Sequence, residues 1–61
     1  MQIKKYRLRN KLTQNELGKK VGATQSSVTD WEKGRCYPTM DKLIIMCKIF
    51  KCTINDLIKE E

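Results

Sequence analysis

Histidine is absent from the sequence, and proline, tryptophan and phenylalanine occur once each in 61 residues. The three cysteines, Cys36, Cys47 and Cys52, form no Cys-x-x-Cys pair. Such a chain does not offer the four nitrogen or sulfur ligands of a structural zinc site, so we expect no metal and no cofactor. We interpret the cysteines as buried free thiols in a reducing compartment. Without a histidine, a cysteine beside a base or a recognisable acid pair, we also expect no enzymatic activity.

Long apolar runs are missing as well. No run approaches the roughly 20 residues that cross a bilayer, and the N-terminus lacks the apolar core of a signal peptide. We therefore expect a cytoplasmic protein with no membrane partner. Apolar residues make up 39% of the chain, which favours a small folded domain over a disordered chain. At this length we predict one domain, residues 1–61.

The positive charge is unevenly distributed. Residues 1–35 hold nine Lys or Arg and three Asp or Glu, whereas residues 36–61 hold four of each kind. The whole net charge of +6 therefore lies in the first part of the chain. Such asymmetry indicates a face for a polyanion, nucleic acid rather than an anionic membrane. Composition alone leaves open the alternative of an ordinary solvated surface.

Helical patterns and caps predict an all-α fold of five short helices with no strand. The predicted helices are QIKKYRLRNK, QNELGKKV, QSSVTDWEK, MDKLIIMCKIF and INDLIKE. Thr13 and Thr53 are each followed three residues later by an acid, Glu16 or Asp56, which is the pattern of a capping box. Gly22 ends the second helix, because glycine tolerates a left-handed backbone.

Residues 13–33 have the pattern of a helix-turn-helix, two short helices joined by a tight turn. The close crossing of the helices requires a small residue, which Gly18 supplies, and the turn requires the positive φ that Gly22 tolerates. Val28 and Trp31 are predicted to face the core. The opposite face of the second helix must be free to enter a major groove about 12 Å wide. That face carries Gln25, Ser26, Thr29 and Asp30.

The motifs LTQNEL, VGATQSSVTDWEKG, YPTMDKL and KIFKCTINDLI together resemble the phage repressor and Cro family of helix-turn-helix domains. The resemblance runs from about Ile3 to Ile58, and Gly18 departs from it where the family usually has alanine. It implies a compact five-helix domain that binds operator DNA through the major groove. We therefore expect a sequence-specific regulator of transcription, in particular a repressor that binds a palindromic operator as a homodimer. No small-molecule ligand is evident.

Four residues are predicted to contact base edges. Gln25 is the strongest candidate, because a glutamine amide can bind adenine N6 and N7 together. Ser26 and Thr29 could contact bases or the thymine methyl group. Asp30 leaves three alternatives open: it accepts from cytosine N4, it repels phosphates at wrong sites, or it pairs with Lys33 three residues on.

A second set is predicted to contact phosphates. Its members are Gln14, Thr24, Ser27, Lys33, Arg35 and Tyr37. The resemblance implies the role of Gln14 at the start of the first motif helix, where backbone N–H groups could bind the same phosphate. Thr24 is first a helix cap. Lys11 and Lys19 are weaker candidates.

The resemblance also implies an internal ion pair between Arg7 and Glu32. Such a pair would tie the first helix to the end of the third. We expect its role to be structural, since removing one partner leaves a buried charge unpaired.

The fourth predicted helix carries apolar residues on two sides, and one side is a candidate surface for contact with a second subunit. On a helical wheel Met40, Leu43, Cys47 and Phe50 form one stripe, while Ile45 and Ile49 fall on the far side. The two isoleucines could form a dimer surface or meet the last helix, or they could be scattered surface residues. They also motivate an alternative function, a small antitoxin or anti-regulator that binds a protein. A sequence-blind nucleic-acid binder fits poorly, because stacking aromatics are scarce.

Overall fold

Short capped helices make up the fold. A computed structural model describes residues 1–59. Its helices are α1 (Ile3–Arg9), α2 (Gln14–Val21), α3 (Gln25–Lys33), α4 (Met40–Phe50) and α5 (Ile54–Ile58). Residues 1–59 contain no strand, so the prediction of an all-α, five-helix fold is confirmed.

The boundaries of α2, α3 and α4 are those predicted, and the two outer helices are shorter. Helix α1 ends at Arg9, and Lys11, which was predicted to be helical, has a left-handed backbone with a φ of 57°. Helix α5 ends at Ile58, and the extended backbone of Lys59 ends the predicted helix early. Glu60, its predicted last residue, lies outside the described residues.

Side-chain caps begin α2 and α5. Thr13 accepts from the N–H of Glu16 at 3.0 Å, and the N–H of Thr13 donates to the Glu16 carboxylate at 2.8 Å. Thr53 and Asp56 form the same pair of bonds, at 3.1 and 3.2 Å. Both predicted capping boxes are therefore confirmed. The backbone N–H of Thr13, and then its hydroxyl, lower the pKa of the Glu16 carboxyl.

The core is formed by apolar residues from all five helices. Its buried members are Ile3, Leu17, Val21, Val28, Trp31, Leu43, Met46, Phe50 and Leu57. Tyr6 of α1 stacks on Phe50 of α4, with ring centroids 5.8 Å apart. The N–H of Gln2 donates to the carbonyl of Leu57 at 2.7 Å, which ties the start of the chain to α5.

Helix α4 is rotated relative to the predicted wheel. Met40, predicted to lie on the buried stripe, is 58% exposed, whereas Met46 is completely buried. Ile45 and Ile49, for which a dimer surface, the last helix and scattered surface positions were the alternatives, are half-buried and pack against the core. Both α2 and α5 pack against α4, so its apolar arc is wider than a single-stripe wheel allows.

The cysteines are less buried than expected. Cys36 is exposed in the loop after α3, and Cys47 and Cys52 are half-buried; all three are free thiols. The loop position of Cys36 explains the error, because nothing packs over that loop segment. Burial, together with the neighbouring Cys47 thiol, raises the pKa of Cys52 to about 11.

None of the described helices is long and apolar enough to cross a membrane. Within residues 1–59 no group of three or more His, Cys, Asp or Glu side chains could hold a metal ion.

Candidate nucleic-acid interface

The turn between α2 and α3 lies directly against the backbone of α2. A Cβ atom added to Gly18 would be 2.8 Å from the carbonyl oxygen of Ala23, closer than such atoms approach. The N–H of Ala23 donates to the carbonyl of Gly18 at 2.7 Å. Gly22 has a φ of 76°, in the left-handed region that favours glycine. The two glycines therefore set the angle at which α3 leaves α2.

The inner face of α3 is held by Val28, which is completely buried, and Trp31, which is 7% exposed. On the outer side the structure brings the four predicted base-contact residues together. With Arg35 they line one open concave surface: Gln25, Ser26, Thr29 and Asp30. Gln25 and Ser26 are exposed, and Thr29 and Asp30 are half-buried.

Asp30 pairs with Arg35 and not with Lys33, its partner in one of the three alternatives left open by the sequence. Its carboxylate lies 3.5 Å from the guanidinium of Arg35, and its backbone carbonyl accepts from the N–H of Arg35 at 2.9 Å. The proposed pair with Lys33 is wrong, because the left-handed Gly34 turns the chain back and brings Arg35 across the end of α3. The side chains of Arg35 and Asp30 are 66% and 39% exposed, so water screens the pair and it contributes about 0–1 kcal/mol.

Arg7 and Glu32 form an ion pair that is almost fully buried. The Nε atom of Arg7 donates to Glu32 Oε2 at 2.7 Å, and Nη2 donates to Oε1 at 3.3 Å. The third arm, Nη1, donates to the carbonyl of Leu12 at 2.8 Å. The side chains are 9% and 5% exposed. The guanidinium thus connects α1, the segment before α2, and the end of α3.

Gln14 joins the same network, a contact that the sequence did not reveal. Its Nε2 atom donates to Glu32 Oε1 at 3.0 Å, and its Oε1 atom accepts from the hydroxyl of Thr29 at 2.9 Å. A predicted phosphate contact is therefore hydrogen-bonded to a predicted base contact. The sequence spacing of 15 and 18 residues gave no signal of these bonds.

A tight turn with a buried inner helix face and a polar outer face is the geometry of a helix-turn-helix. A family model described as "Helix-turn-helix" matches residues 3–57. The chain belongs to the helix-turn-helix family. This family is a class of DNA-binding transcriptional regulators and not an enzyme class, which agrees with the expectation of no catalytic activity.

Similar proteins share this description. The HTH-type transcriptional activator BcrR of Enterococcus faecalis is 30% identical over 59 residues, which are 97% of this chain and 29% of that protein. This chain thus spans less than a third of that relative. An uncharacterized HTH-type transcriptional regulator of Archaeoglobus fulgidus is 33% identical over 55 residues, 90% of this chain and 79% of the relative.

A solved structure has the same fold. The crystal structure of the P22 c2 repressor protein in complex with a synthetic operator superposes with a TM-score of 0.88 at 28% identity. The match covers 98% of this chain and 91% of the repressor chain.

Apart from Gln14, which begins α2, the predicted phosphate contacts of this helix-turn-helix lie near or beyond the two ends of α3. Thr24 caps the helix: its hydroxyl oxygen accepts from the N–H of Ser27 at 3.1 Å and donates to the Ser27 hydroxyl at the same distance. Lys33 and Arg35 are exposed at the other end, and Tyr37 is 68% exposed in the following loop.

Lys42 is a contributor to the motif that the sequence did not reveal. Its Nζ atom donates to the carbonyl of Gly22 at 3.1 Å. A cation at the C-terminal end of a helix is favourable, so Lys42 supports the end of α2 from the start of α4. The signal was hidden because the two residues are 20 positions apart.

Proposed function

We propose that this chain is a sequence-specific, double-stranded DNA-binding regulator that places α3 in the major groove. One observation carries the proposal: the four polar side chains of the outer face of α3 lie together on one concave surface. Base edges are distinguished by hydrogen-bonding side chains, and phosphates are bound chiefly by cations. The sequence provides hydrogen-bonding side chains on α3 and basic residues on either side of it.

Gln25 is the principal base contact in this proposal. It is the first residue of α3, it is exposed, and within residues 1–59 no protein group bonds its side-chain amide. Both its donor and its acceptor are thus free to bind adenine. Ser26 lies beside it and is exposed as well.

Phosphates are bound on both sides of the base contacts. The DNA strand near the end of α3 would be bound by Lys33, Arg35 and Tyr37. The strand near the turn would be bound by Gln14, Thr24 and Ser27. The N–H groups of Gln14 and Asn15 support this, because the first donors of a helix have no acceptor within it; the capping box occupies that of Glu16.

The test is selection of bound DNA from a random pool with the wild type and Gln25→Ala. We expect a wild-type consensus, a cost of about 1–3 kcal/mol for the variant at that site, and relaxed preference at one base pair. Asn55→Ala is the matched control, since it removes an exposed amide from α5. A pool that returns no consensus, or a Gln25→Ala consensus identical to the wild type, would contradict the proposal.

The regulator is proposed to bind a palindromic operator as a homodimer. One recognition helix reaches only a few base pairs, so a single half-site gives low specificity. Two related half-sites one helical turn apart, bound by a dimer, give higher specificity. Ile45 and Ile49 were predicted to form the dimer surface, but both pack against the core. The exposed apolar pair on α4 is instead Met40 and Ile44, one turn apart and 58% and 44% exposed.

Sedimentation of Met40→Glu with Ile44→Glu tests this surface. We expect the double variant to be monomeric at concentrations at which the wild type is dimeric. A glutamate at Ile45 or Ile49 would disturb the core as well, so it is the less specific probe. An unchanged mass for the Met40 and Ile44 variant would remove this face from the dimer proposal.

The proposed effect on transcription is repression. The likeness to a repressor bound to an operator, over 98% of this chain, supports it. In an in-vitro transcription assay with the selected site overlapping a promoter, added protein should lower transcript yield. A rise in yield would show an activator instead.

A further inference from the structure

The hydrogen bonds from Arg7 to Thr29 run through three helices and have a fixed direction. A carboxylate paired with a guanidinium can only accept hydrogen bonds. The nitrogen of the Gln14 amide must therefore face Glu32, to which it donates at 3.0 Å. The opposite end of the amide, the carbonyl oxygen, then faces Thr29.

The amide direction decides where the Thr29 proton lies. A carbonyl oxygen only accepts, so the hydroxyl of Thr29 donates to Gln14 Oε1 at 2.9 Å. The alternative acceptor is the carbonyl of Gln25 at 3.0 Å, which also belongs to the protein. A hydroxyl has a single proton, and both of its acceptors here are protein groups, so that proton is not available to a base.

We infer that Gln14 is a positioning residue for Thr29. Because Gln14 holds the proton of the Thr29 hydroxyl, Thr29 can contact DNA only as a hydrogen-bond acceptor or through its methyl group. Thr29 then presents only its oxygen lone pair and its methyl group to the groove. These bind the amino group of cytosine or adenine, or the methyl of thymine, and they do not donate to guanine O6 or N7. Ser26 provides the internal contrast, because no protein group holds its hydroxyl within residues 1–59 and it can donate or accept. The inference rests on the proposed function and specifies the base class at one of its contacts.

The experiment distinguishes two roles of Gln14: positioning Thr29 through the hydrogen-bond network, and binding a phosphate only. Gln14→Met keeps the side-chain length and removes both hydrogen bonds, while the Arg7–Glu32 pair remains. Thr29→Val keeps the shape of Thr29 and removes its hydroxyl. Asn15→Ala is the control, because Asn15 is the exposed neighbour of Gln14 in the same helix turn. Binding of each variant is measured on the wild-type consensus site and on its single-base-pair substitutions.

The base pair whose preference changes in Thr29→Val is the one that Thr29 contacts. At that pair we expect Gln14→Met to reduce discrimination by about fivefold, the effect of one net hydrogen bond. In the Thr29→Val background, Gln14→Met should change discrimination no further, since the two residues act through one hydroxyl. Replacing guanine at that pair by 7-deazaguanine, which lacks the N7 acceptor, should leave wild-type binding unchanged.

Three results would overturn the inference while leaving the proposed function in place. Gln14→Met could weaken binding to all sites equally, which indicates a phosphate contact only. Thr29→Val could change the preference at no base pair. Wild-type binding could fall with 7-deazaguanine, which indicates a donated bond. A wild-type pool without a consensus would instead contradict the proposed function itself. Urea midpoints verify that each variant is folded, and Gln14→Ala replaces Gln14→Met if the latter is not.

Discussion

At the scale of single residues, the polar groups that matter are those with several partners. Arg7 donates two bonds to Glu32 and one to Leu12, yet only 8% of the residue is exposed. Such a pair adds little net stability compared with apolar residues, but the loss of one partner leaves the other charge buried and unpaired. The residue composition alone would not separate Arg7 from Arg9.

We predict that Arg7→Ala lowers the free energy of unfolding far more than Arg9→Ala. The first should cost about 3–5 kcal/mol, because Glu32 stays buried without its cation. Arg9 is exposed and lies 5.5 Å from the Tyr6 ring, a cation–π contact worth about 0.5–1 kcal/mol. Urea titrations of both variants make the comparison, and equal midpoints would contradict it.

A second residue-scale prediction concerns Cys36, which lies between two proposed phosphate contacts, Arg35 and Tyr37. Iodoacetamide at pH 8 should alkylate Cys36 first, because it is exposed, whereas burial raises the pKa of Cys52 to about 11 and keeps that thiol neutral. Saturating operator DNA should slow the alkylation of Cys36 and leave that of Cys52 unchanged. Mass spectrometry of timed digests measures both rates. Equal Cys36 rates with and without DNA would place this loop outside the interface.

At the scale of elements, local chemistry determines where helices begin, whereas packing between helices determines which of their faces are buried. The caps of α2 and α5 were predictable because each capping box involves only residues three apart. The orientation of α4 was not, since α2 and α5 decide which of its faces are covered. The predicted stripe was therefore right for Leu43 and Phe50 and wrong for Met40.

We predict that Gly18→Val destabilises the fold by at least about 2 kcal/mol and abolishes DNA binding. Its side chain would meet the backbone of Ala23 and Thr24, which cannot move without opening the turn. Lys19→Val is the matched control, with the same β-branched residue at the exposed neighbouring position. Thermal unfolding compares the two variants. A similar loss in both would show that helix propensity, and not the close approach, sets the cost.

The capping box of α2 predicts that the stability of the fold depends on pH. The pKa of Glu16 is lowered in the folded state, so its bond to Thr13 stabilises the fold above the ordinary carboxyl pKa. That stabilisation is lost as the pH falls through the lowered value. Glu16→Ala should therefore be less stable than the wild type at pH 7, and the difference should shrink toward pH 3. Urea midpoints across this range test it, and a constant difference would contradict the assigned role of the charge.

At the scale of the whole molecule, net charge controls affinity for DNA of any sequence. Each lysine or arginine that binds a phosphate releases counterions, so it steepens the dependence of affinity on salt. The excess charge of this chain lies in residues 1–35, which include the motif.

We predict that Lys33→Ala and Arg35→Ala each flatten the slope of log affinity against log salt by roughly one unit, on operator and random DNA alike. Lys48→Ala removes the same charge from α4, where residues 36–61 carry no net charge, and should leave the slope unchanged. Fluorescence anisotropy between 50 and 300 mM salt gives the slopes. A flattening by Lys48→Ala equal to that by Lys33→Ala would mean that the chain binds DNA through no particular face.

The sequence by itself determined the number of helices, the limits of the three central ones, both capping boxes and the polar face of α3. These features depend on residues within one or two turns of each other, and such patterns are visible along the chain. The resemblance to phage repressors added the Arg7–Glu32 pair.

Only the tertiary structure decided how distant side chains meet. It paired Asp30 with Arg35, placed Lys42 at the end of α2, and turned Met40 outward. It also linked Gln14 to Thr29 and so gave the Thr29 hydroxyl a direction. These outcomes depend on the angles between helices, which close backbone contacts such as that at Gly18 set and which no local pattern encodes.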